Sequence, residues 1–108
     1  MFEMALKVTV GDSVTFHLSV TNAGDTSIEL TFRDACQADF TVYDGPTEVW
    51  RYSDRKAFTQ TLTKADFHPG ETATFEQRWP DPIEGAFTAE ATLRVREGEC
   101  RTRTPFSV

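Results

Sequence analysis

The chain is dominated by stretches in which apolar and polar residues alternate. From Val14 to Thr21 every second residue is apolar, and from Phe87 to Val95 the same alternation runs longest. A period of two places successive side chains on opposite faces of a strand, so these stretches predict strands with one buried and one solvent-facing side. No stretch of ten or more residues shows the 3.6-residue period of a capped helix.

Turn-forming residues separate these stretches at short intervals, which predicts about nine strands. The predicted strands begin at Leu6, Val14, Ile28, Phe40, Glu48, Phe58, Ala73 and Phe87, and a last strand ends at Val108. The pattern favours an all-β fold, an antiparallel two-sheet β-sandwich of the immunoglobulin type. A closed barrel is the second choice, because uneven loops and the nearby prolines Pro80 and Pro82 favour open sheets.

The inward-facing positions predict the core. It should contain Phe16, Leu18, Val20, Leu30, Phe40, Val42, Trp50, Leu62, Phe75, Phe87, Ala89 and Leu93. Large aromatic residues supply much of the burial in small domains, so Trp50 and Trp79 are interpreted as core residues. Alternatively, Trp50, Arg51 and Tyr52 form an exposed patch, since Trp, Tyr and Arg are enriched in binding hot spots.

Size and charge narrow the possible partners. A chain of 108 residues is expected to form one domain, residues 1–108. Its net charge of -6 argues against nucleic acid and anionic membranes as partners. No apolar run approaches the ~20 residues of a membrane span, and the acidic first residues do not resemble a secretory signal. We therefore expect a cytoplasmic protein, or a mature or excised domain.

Two cysteines, Cys36 and Cys100, are present, and neither belongs to a Cys-x-x-Cys pair. In a cytoplasmic protein the default expectation is two reduced thiols. The alternative is a disulfide between Cys36 and Cys100, because Cys100 shares the parity of Thr102 and Phe106 on the last predicted strand. Such a bond would tie a mid-chain loop to that strand.

Catalytic and cofactor chemistry finds little support in the sequence. His17 lies on the polar face of a predicted strand, and His68 precedes a Pro-Gly turn, so both are expected to be exposed. Cys36 with a histidine could form a nucleophile pair, but no local motif supports it. The acidic residues show no calcium-loop spacing and the glycines no phosphate-binding loop. We therefore expect no enzyme, no cofactor and no metal.

Several segments together resemble the intracellular proteinase inhibitor (BsuPI) family. They are residues 16–22, 30–32, 37–44, 48–53, 58–62, 69–71, Trp79 and residues 85–89, in the family's order and at compatible spacings. The resemblance implies an immunoglobulin-like sandwich that inhibits a cytoplasmic subtilisin-like serine protease, without catalysis or cofactor. Six of the matching positions are the least explained by strand alternation alone. They are Gln37, Asp39, Trp50, Arg51, Phe58 and Gln60, and they could also form a structural polar network.

The leading hypothesis is a protein-binding domain that blocks a protease cleft with a rigid loop. The first candidate loop, the 53–57 loop, comprises Ser53, Asp54, Arg55, Lys56 and Ala57. The second, the 80–85 loop, comprises Pro80, Asp81, Pro82, Ile83, Glu84 and Gly85. The Gly45-Pro46 turn is too tight to enter a cleft as an extended strand. The rival hypothesis is a general interaction or scaffold module of the same fold with no inhibitory activity.

Overall fold

The computed structural model describes residues 2–32, 34–54, 56–60, 62–96 and 98–108. Within these ranges the chain forms nine strands and no helix, so none of the described segments is a helix that could cross a membrane. The strands are β1 (Phe2–Val10), β2 (Val14–Asn22), β3 (Ile28–Phe32), β4 (Ala38–Asp44), β5 (Thr47–Arg51), β6 (Thr63–Phe67), β7 (Thr72–Trp79), β8 (Ala86–Val95) and β9 (Gly98–Ser107).

The strands form two antiparallel sheets. The first sheet has the order β1-β2-β7. In the second sheet, β4 lies between β5 and β8, and β9 pairs along the whole of β8. Strand β3 meets the end of β8 through the single pair Phe32 and Val95, and β6 lies beyond β3. The prediction of an antiparallel two-sheet sandwich is confirmed, and its assignment to the immunoglobulin type stays a prediction.

The core lies between the inward faces of the two sheets. Phe16 on β2 is fully buried, and its ring stacks on Phe40 of β4 with centroids 5.9 Å apart. The alternation predicted most of this core correctly. The predicted residues that are buried are Phe16, Leu18, Val20, Leu30, Phe40, Val42, Phe87, Ala89 and Leu93.

Two of the predicted core aromatics are only half-buried at the edge of the core. Trp50 lies on β5, an edge strand of the second sheet, and stacks on Phe16 and on Trp79 at 5.8 and 6.2 Å. Phe75 lies on β7, an edge strand of the first sheet. Trp79 is buried, as predicted. Trp50 therefore packs against the core rather than forming an exposed patch.

The predicted strand beginning at Phe58 is wrong. Residues 56–60 form no strand, Leu62 is 57% exposed instead of buried, and the strand of this region is β6 at Thr63–Phe67. Strand β6 pairs along the whole of β3, whereas Phe58 packs its ring near Tyr52 at 6.1 Å. The segment after β5 is thus a connection between strands, and the alternation of Phe58, Gln60 and Leu62 belongs to no sheet.

Candidate functional site

The 53–57 loop begins two residues after Arg51, the last residue of β5, at the outer edge of the second sheet. Tyr52 continues the pairing of β5 with β4 by donating its backbone N–H to the Phe40 carbonyl at 2.8 Å. The loop then turns away from the sheet. Arg55 lies outside the described residues, whereas Asp54, Lys56 and Ala57 are exposed.

Asp39 on β4 holds the first residue of this loop. The Asp39 residue is only 5% exposed. Ser53 donates its hydroxyl to Oδ2 at 2.6 Å and its backbone N–H to Oδ1 at 3.1 Å. The Phe40 N–H also donates to Oδ1, and Arg51 Nη1 approaches Oδ2 at 3.4 Å. A buried carboxylate needs such donors to offset the loss of hydration. The two hydrogen bonds therefore hold Ser53 in position against the Asp39 carboxylate.

Arg51 is held from its other side by Glu48. Its Nε and Nη2 donate to Glu48 Oε1 at 3.1 and 2.7 Å. These hydrogen bonds raise the pKa of the Arg51 guanidinium above its ordinary value, so the side chain stays charged. Asp39, Arg51 and Ser53 therefore form one polar network at the base of the loop. The sequence singled out Asp39 and Arg51, but did not predict Glu48 as a partner.

Short local contacts shape the rest of the 53–57 loop. Asp54 donates its backbone N–H to the Arg51 carbonyl at 3.1 Å, and Lys56 donates to the Ser53 carbonyl at 3.2 Å. The Lys56 ammonium lies 5.1 Å from the centroid of the Tyr52 ring, on which it can make a cation–π contact. Partial burial raises the pKa of the Tyr52 hydroxyl, which keeps the ring neutral beneath the lysine.

A shallow depression of about 380 Å³ adjoins the 53–57 loop. Beyond the loop, Ala35 donates its backbone N–H to the Thr59 carbonyl at 3.0 Å, which ties the returning chain to the segment before β4. The depression is lined by Asp34, Ser53, Lys56, Ala57, Phe58, Gln60 and Arg94. Two of the family-matching positions, Phe58 and Gln60, thus line the depression beside the loop. A third, Gln37, accepts a hydrogen bond from the Arg94 backbone N–H with its backbone carbonyl.

The 80–85 loop lies at the other end of β5. Its last residue, Gly85, exchanges two backbone hydrogen bonds with Val108, at 2.9 and 3.2 Å. Gly45, in the turn before β5, and Ala86, directly after the loop, line one depression. The five residues of β5, roughly 16 Å, separate that turn from Ser53, so the two candidate loops do not form one surface. Ile83 at the second loop is 57% exposed.

Gly85 should tolerate no side chain. Its φ of 148° lies in the region that favours glycine, and an added Cβ would lie 3.0 Å from the buried ring of Phe87. We expect Gly85→Ala to lower the free energy of unfolding by about 1–3 kcal/mol. Gly70→Ala is the control, because Gly70 has a φ of 80° with nothing within 4 Å of an added Cβ. Equal losses in denaturant titrations of the two variants would contradict the predicted clash with Phe87.

The cysteines do not form the disulfide considered from the sequence. Both are free thiols, and burial raises the pKa of each. Leu93 pairs with Ala38 on one side and with Cys100 on the other, so two strand spacings, roughly 10 Å, separate Ala38 from Cys100. Cys36 stays beside Ala38, to whose carbonyl its thiol donates at 3.5 Å. A disulfide needs Cα atoms within about 7 Å.

The histidines lie on the surface, in separate ion-pair and hydrogen-bond contacts. His17 Nδ1 lies 3.3 Å from Glu76 on the outer face of the first sheet, and His68 Nδ1 lies 3.0 Å from the Ser27 hydroxyl. The buried Cys36 thiol contacts the Ala38 carbonyl instead of an imidazole. Among the described residues, no group of three or more His, Cys, Asp or Glu side chains could hold a metal ion.

Two solved structures resemble the backbone of the chain. One is the β-glucosidase EmGH1 from Erythrobacter marinus, with 15% identity and a TM-score of 0.48, covering 97% of this chain and 15% of that one. The other is the β-glucuronidase of Bacteroides uniformis, with 14% identity and a TM-score of 0.48, covering 98% of this chain and 13% of that one. The chain thus spans a small part of either glycosidase, and these values carry no inference about activity.

Sequence comparison identifies the family. No curated protein matches the chain. The family model described as "Intracellular proteinase inhibitor" (BsuPI) matches residues 2–98. This range includes the polar network of Asp39, Arg51 and Ser53, both candidate loops and the first eight strands. The chain belongs to the BsuPI intracellular proteinase inhibitor family.

Proposed function

We propose that this protein inhibits a subtilisin-like serine protease of the cytoplasm by placing its 53–57 loop in the active-site cleft. Membership of an inhibitor family makes the chain noncatalytic and implies a protease as its partner. The serine-protease class, the cytoplasmic location and the contact loop are the parts that we add. They rest on the resemblance described above and on the geometry of the loop.

The observation that carries the proposal is the anchoring of Ser53 by buried Asp39. An inhibitory loop binds tightly when it is already ordered, because ordering each flexible side chain on binding costs about 0.5–1.5 kcal/mol. Two hydrogen bonds from Ser53 to one carboxylate, at 2.6 and 3.1 Å, fix the start of the loop. The hydrogen bond between Ala35 and Thr59 fixes the chain after it. The exposed residues Asp54, Lys56 and Ala57 lie between these two anchors.

Inhibition is tested by titrating the purified protein against a subtilisin-like protease with casein as substrate. We expect a stoichiometric loss of casein hydrolysis, with the protein itself remaining intact during the assay. Binding should be lost when the protease cleft is first blocked by a covalent peptide inhibitor, because both would occupy one site. Absence of inhibition, or cleavage of the protein at the rate of casein, would contradict the proposal.

The contact loop is tested with the triple variant Asp54→Ala/Arg55→Ala/Lys56→Ala. We expect the inhibition constant to rise at least about ten-fold, since contact residues at such interfaces often contribute more than about 1 kcal/mol each. The melting temperature should hardly change, because exposed substitutions usually cost less than about 0.5 kcal/mol.

The control for the contact loop is Asp81→Ala/Ile83→Ala/Glu84→Ala in the 80–85 loop. It alters three exposed residues at the other end of β5. If this control loses inhibition and the first triple variant keeps it, the 80–85 loop is the contact and the 53–57 loop only connects two strands. If neither variant changes inhibition, both candidate loops are wrong.

The rival function is that of an interaction module that binds a protein without inhibiting it. Such a module would bind the protease stably without slowing casein hydrolysis. Blocking the protease cleft would not weaken that binding. The exposed residues Asp54, Lys56 and Ala57 suit either function. The family membership favours inhibition.

A further inference from the structure

The Tyr52 ring lies against two side chains at the far end of the 53–57 loop. The Lys56 ammonium lies 5.1 Å from the centroid of this ring, and the centroid of the Phe58 ring lies 6.1 Å from it. Neither residue belongs to the polar network around Asp39, which reaches the loop at Ser53. The second half of the loop therefore has a separate, aromatic support.

Tyr52 is itself fixed to the body of the domain. Its backbone N–H donates to the Phe40 carbonyl at 2.8 Å and so continues the pairing of β5 with β4. Side chains alternate along an extended chain, so Tyr52 faces the same side as Trp50, and both pack against the core. The Tyr52 residue also lines a cleft of about 160 Å³ that Phe75 of β7 shares. The ring thus connects the core with the loop.

Both contacts suit the chemistry of an aromatic ring. The face of a tyrosine ring attracts a cation that lies within about 6 Å of its centroid. Aromatic pairs attract at centroid distances of about 4.5–7 Å when they are not stacked directly face to face. The planes of Tyr52 and Phe58 are inclined at 50°. The backbone N–H of Lys56 donates to the Ser53 carbonyl at 3.2 Å, so Lys56 is held by its main chain as well.

We propose that Tyr52 is a positioning residue of the inhibitor, which holds Lys56 and Phe58 and thereby orders the second half of the 53–57 loop for the protease cleft. This inference rests on the proposed inhibitory function. Lys56 acts through Tyr52 in this arrangement, whereas the exposed Ala57 between the two held residues is left for the protease to contact. An alanine side chain has no rotamers to lose, so the order of its backbone sets the entropic cost of binding there.

The second tyrosine of the chain supplies a matched control. Tyr43 is half-buried, as Tyr52 is, and the Arg103 guanidinium lies 5.3 Å from its ring centroid. It pairs with Glu48 beside the turn at the other end of β5. Tyr43→Leu therefore removes the same kind of contact away from the loop. Tyr52→Phe is the conservative variant, because it keeps the ring and loses only the hydroxyl.

The first test uses the free protein. In the NMR spectrum the Lys56 Hε protons should show an upfield ring-current shift in the parent, in Tyr52→Phe and in Tyr43→Leu, and lose it in Tyr52→Leu. Hydrogen exchange of the Lys56 amide should be about three-fold faster in Tyr52→Leu alone, as loss of one surface cation–π contact implies. An unchanged shift and unchanged exchange in folded Tyr52→Leu would overturn the assignment.

The second test measures inhibition of casein hydrolysis. Losing both ring contacts should raise the inhibition constant about ten-fold in Tyr52→Leu, and less than about two-fold in Tyr52→Phe and Tyr43→Leu. Lys56→Gln should raise it about three-fold. The double variant Tyr52→Leu/Lys56→Gln should inhibit as Tyr52→Leu does, because Lys56 has then already lost the ring through which it acts.

Two results of the inhibition assay would contradict the role of Tyr52. If the losses multiply to about thirty-fold in the double variant, Lys56 contacts the protease directly. If Tyr52→Leu inhibits as the parent does, the ring serves only stability. Should Tyr52→Leu not fold, Lys56→Gln decides, and unchanged amide exchange with unchanged inhibition overturns the assignment. A parent protein that inhibits no protease removes the proposed function, whereas the NMR measurements still decide whether Tyr52 orders the loop.

Discussion

Replacing Phe16 by Ala should lower the free energy of unfolding by about 3–5 kcal/mol, which is a large part of the stability of a small domain. The ring is fully buried on β2. It stacks on Phe40 and on Trp50, and meets Phe106 edge to face, at centroid distances of 5.9, 5.8 and 6.0 Å. These three partners come from three strands of the opposite sheet. The cavity left by Ala would therefore lie where the two sheets are joined.

Phe75→Ala is the matched control for this prediction. Phe75 is also an aromatic residue of the first sheet and pairs with Leu18, two residues from Phe16, but it is only half-buried. Losing it removes less buried area and opens a site that water can fill, so the expected loss is clearly smaller. Denaturant titrations of the parent and both variants measure the difference. A loss below about 1 kcal/mol for Phe16→Ala would mean that the two sheets are packed differently.

The sequence predicted the sandwich well because the alternation of apolar and polar residues directly reflects which side chains are buried. On β2 each even residue from Val14 to Val20 is buried and each odd residue is not, as the pattern requires. The prediction failed at Leu62, where alternation continues through residues that pair with no strand. Local pattern records which side chains are apolar but not whether a neighbouring strand is present. Here the edge of β3 pairs with Thr63–Phe67 instead.

The candidate site was predictable in its residues but not in its contacts. Asp39 and Arg51 stood out because alternation alone does not explain them. The structure places them with Ser53, which is fourteen residues from Asp39 along the chain. Register and a β-bulge between Val42 and Tyr43 bring them together, and neither can be read from spacing.

Asp39→Ala is the second large effect that we expect. Removing the carboxylate leaves the N–H groups of Phe40 and Ser53 without their acceptor in a buried site and removes one partner of Arg51. Such losses together should lower the free energy of unfolding by about 2–4 kcal/mol. Asp39→Asn keeps an acceptor oxygen and should lose less. Ser53→Ala, which removes one hydroxyl contact, should cost about 1 kcal/mol.

These variants also separate stability from inhibition. Asp39 is too buried to contact a protease, so its effect on inhibition must come through the positions of its partners Ser53 and Arg51. If an ordered loop is what makes the protein inhibitory, Asp39→Ala should raise the inhibition constant at a temperature where the variant is still fully folded. Ser53→Ala should raise it less, and hydrogen exchange of the backbone amide at position 53 should be faster in Asp39→Ala than in Ser53→Ala. A folded Asp39→Ala protein that inhibits as well as the parent would show that anchoring by Asp39 serves the stability of the sheet and not the inhibitory loop.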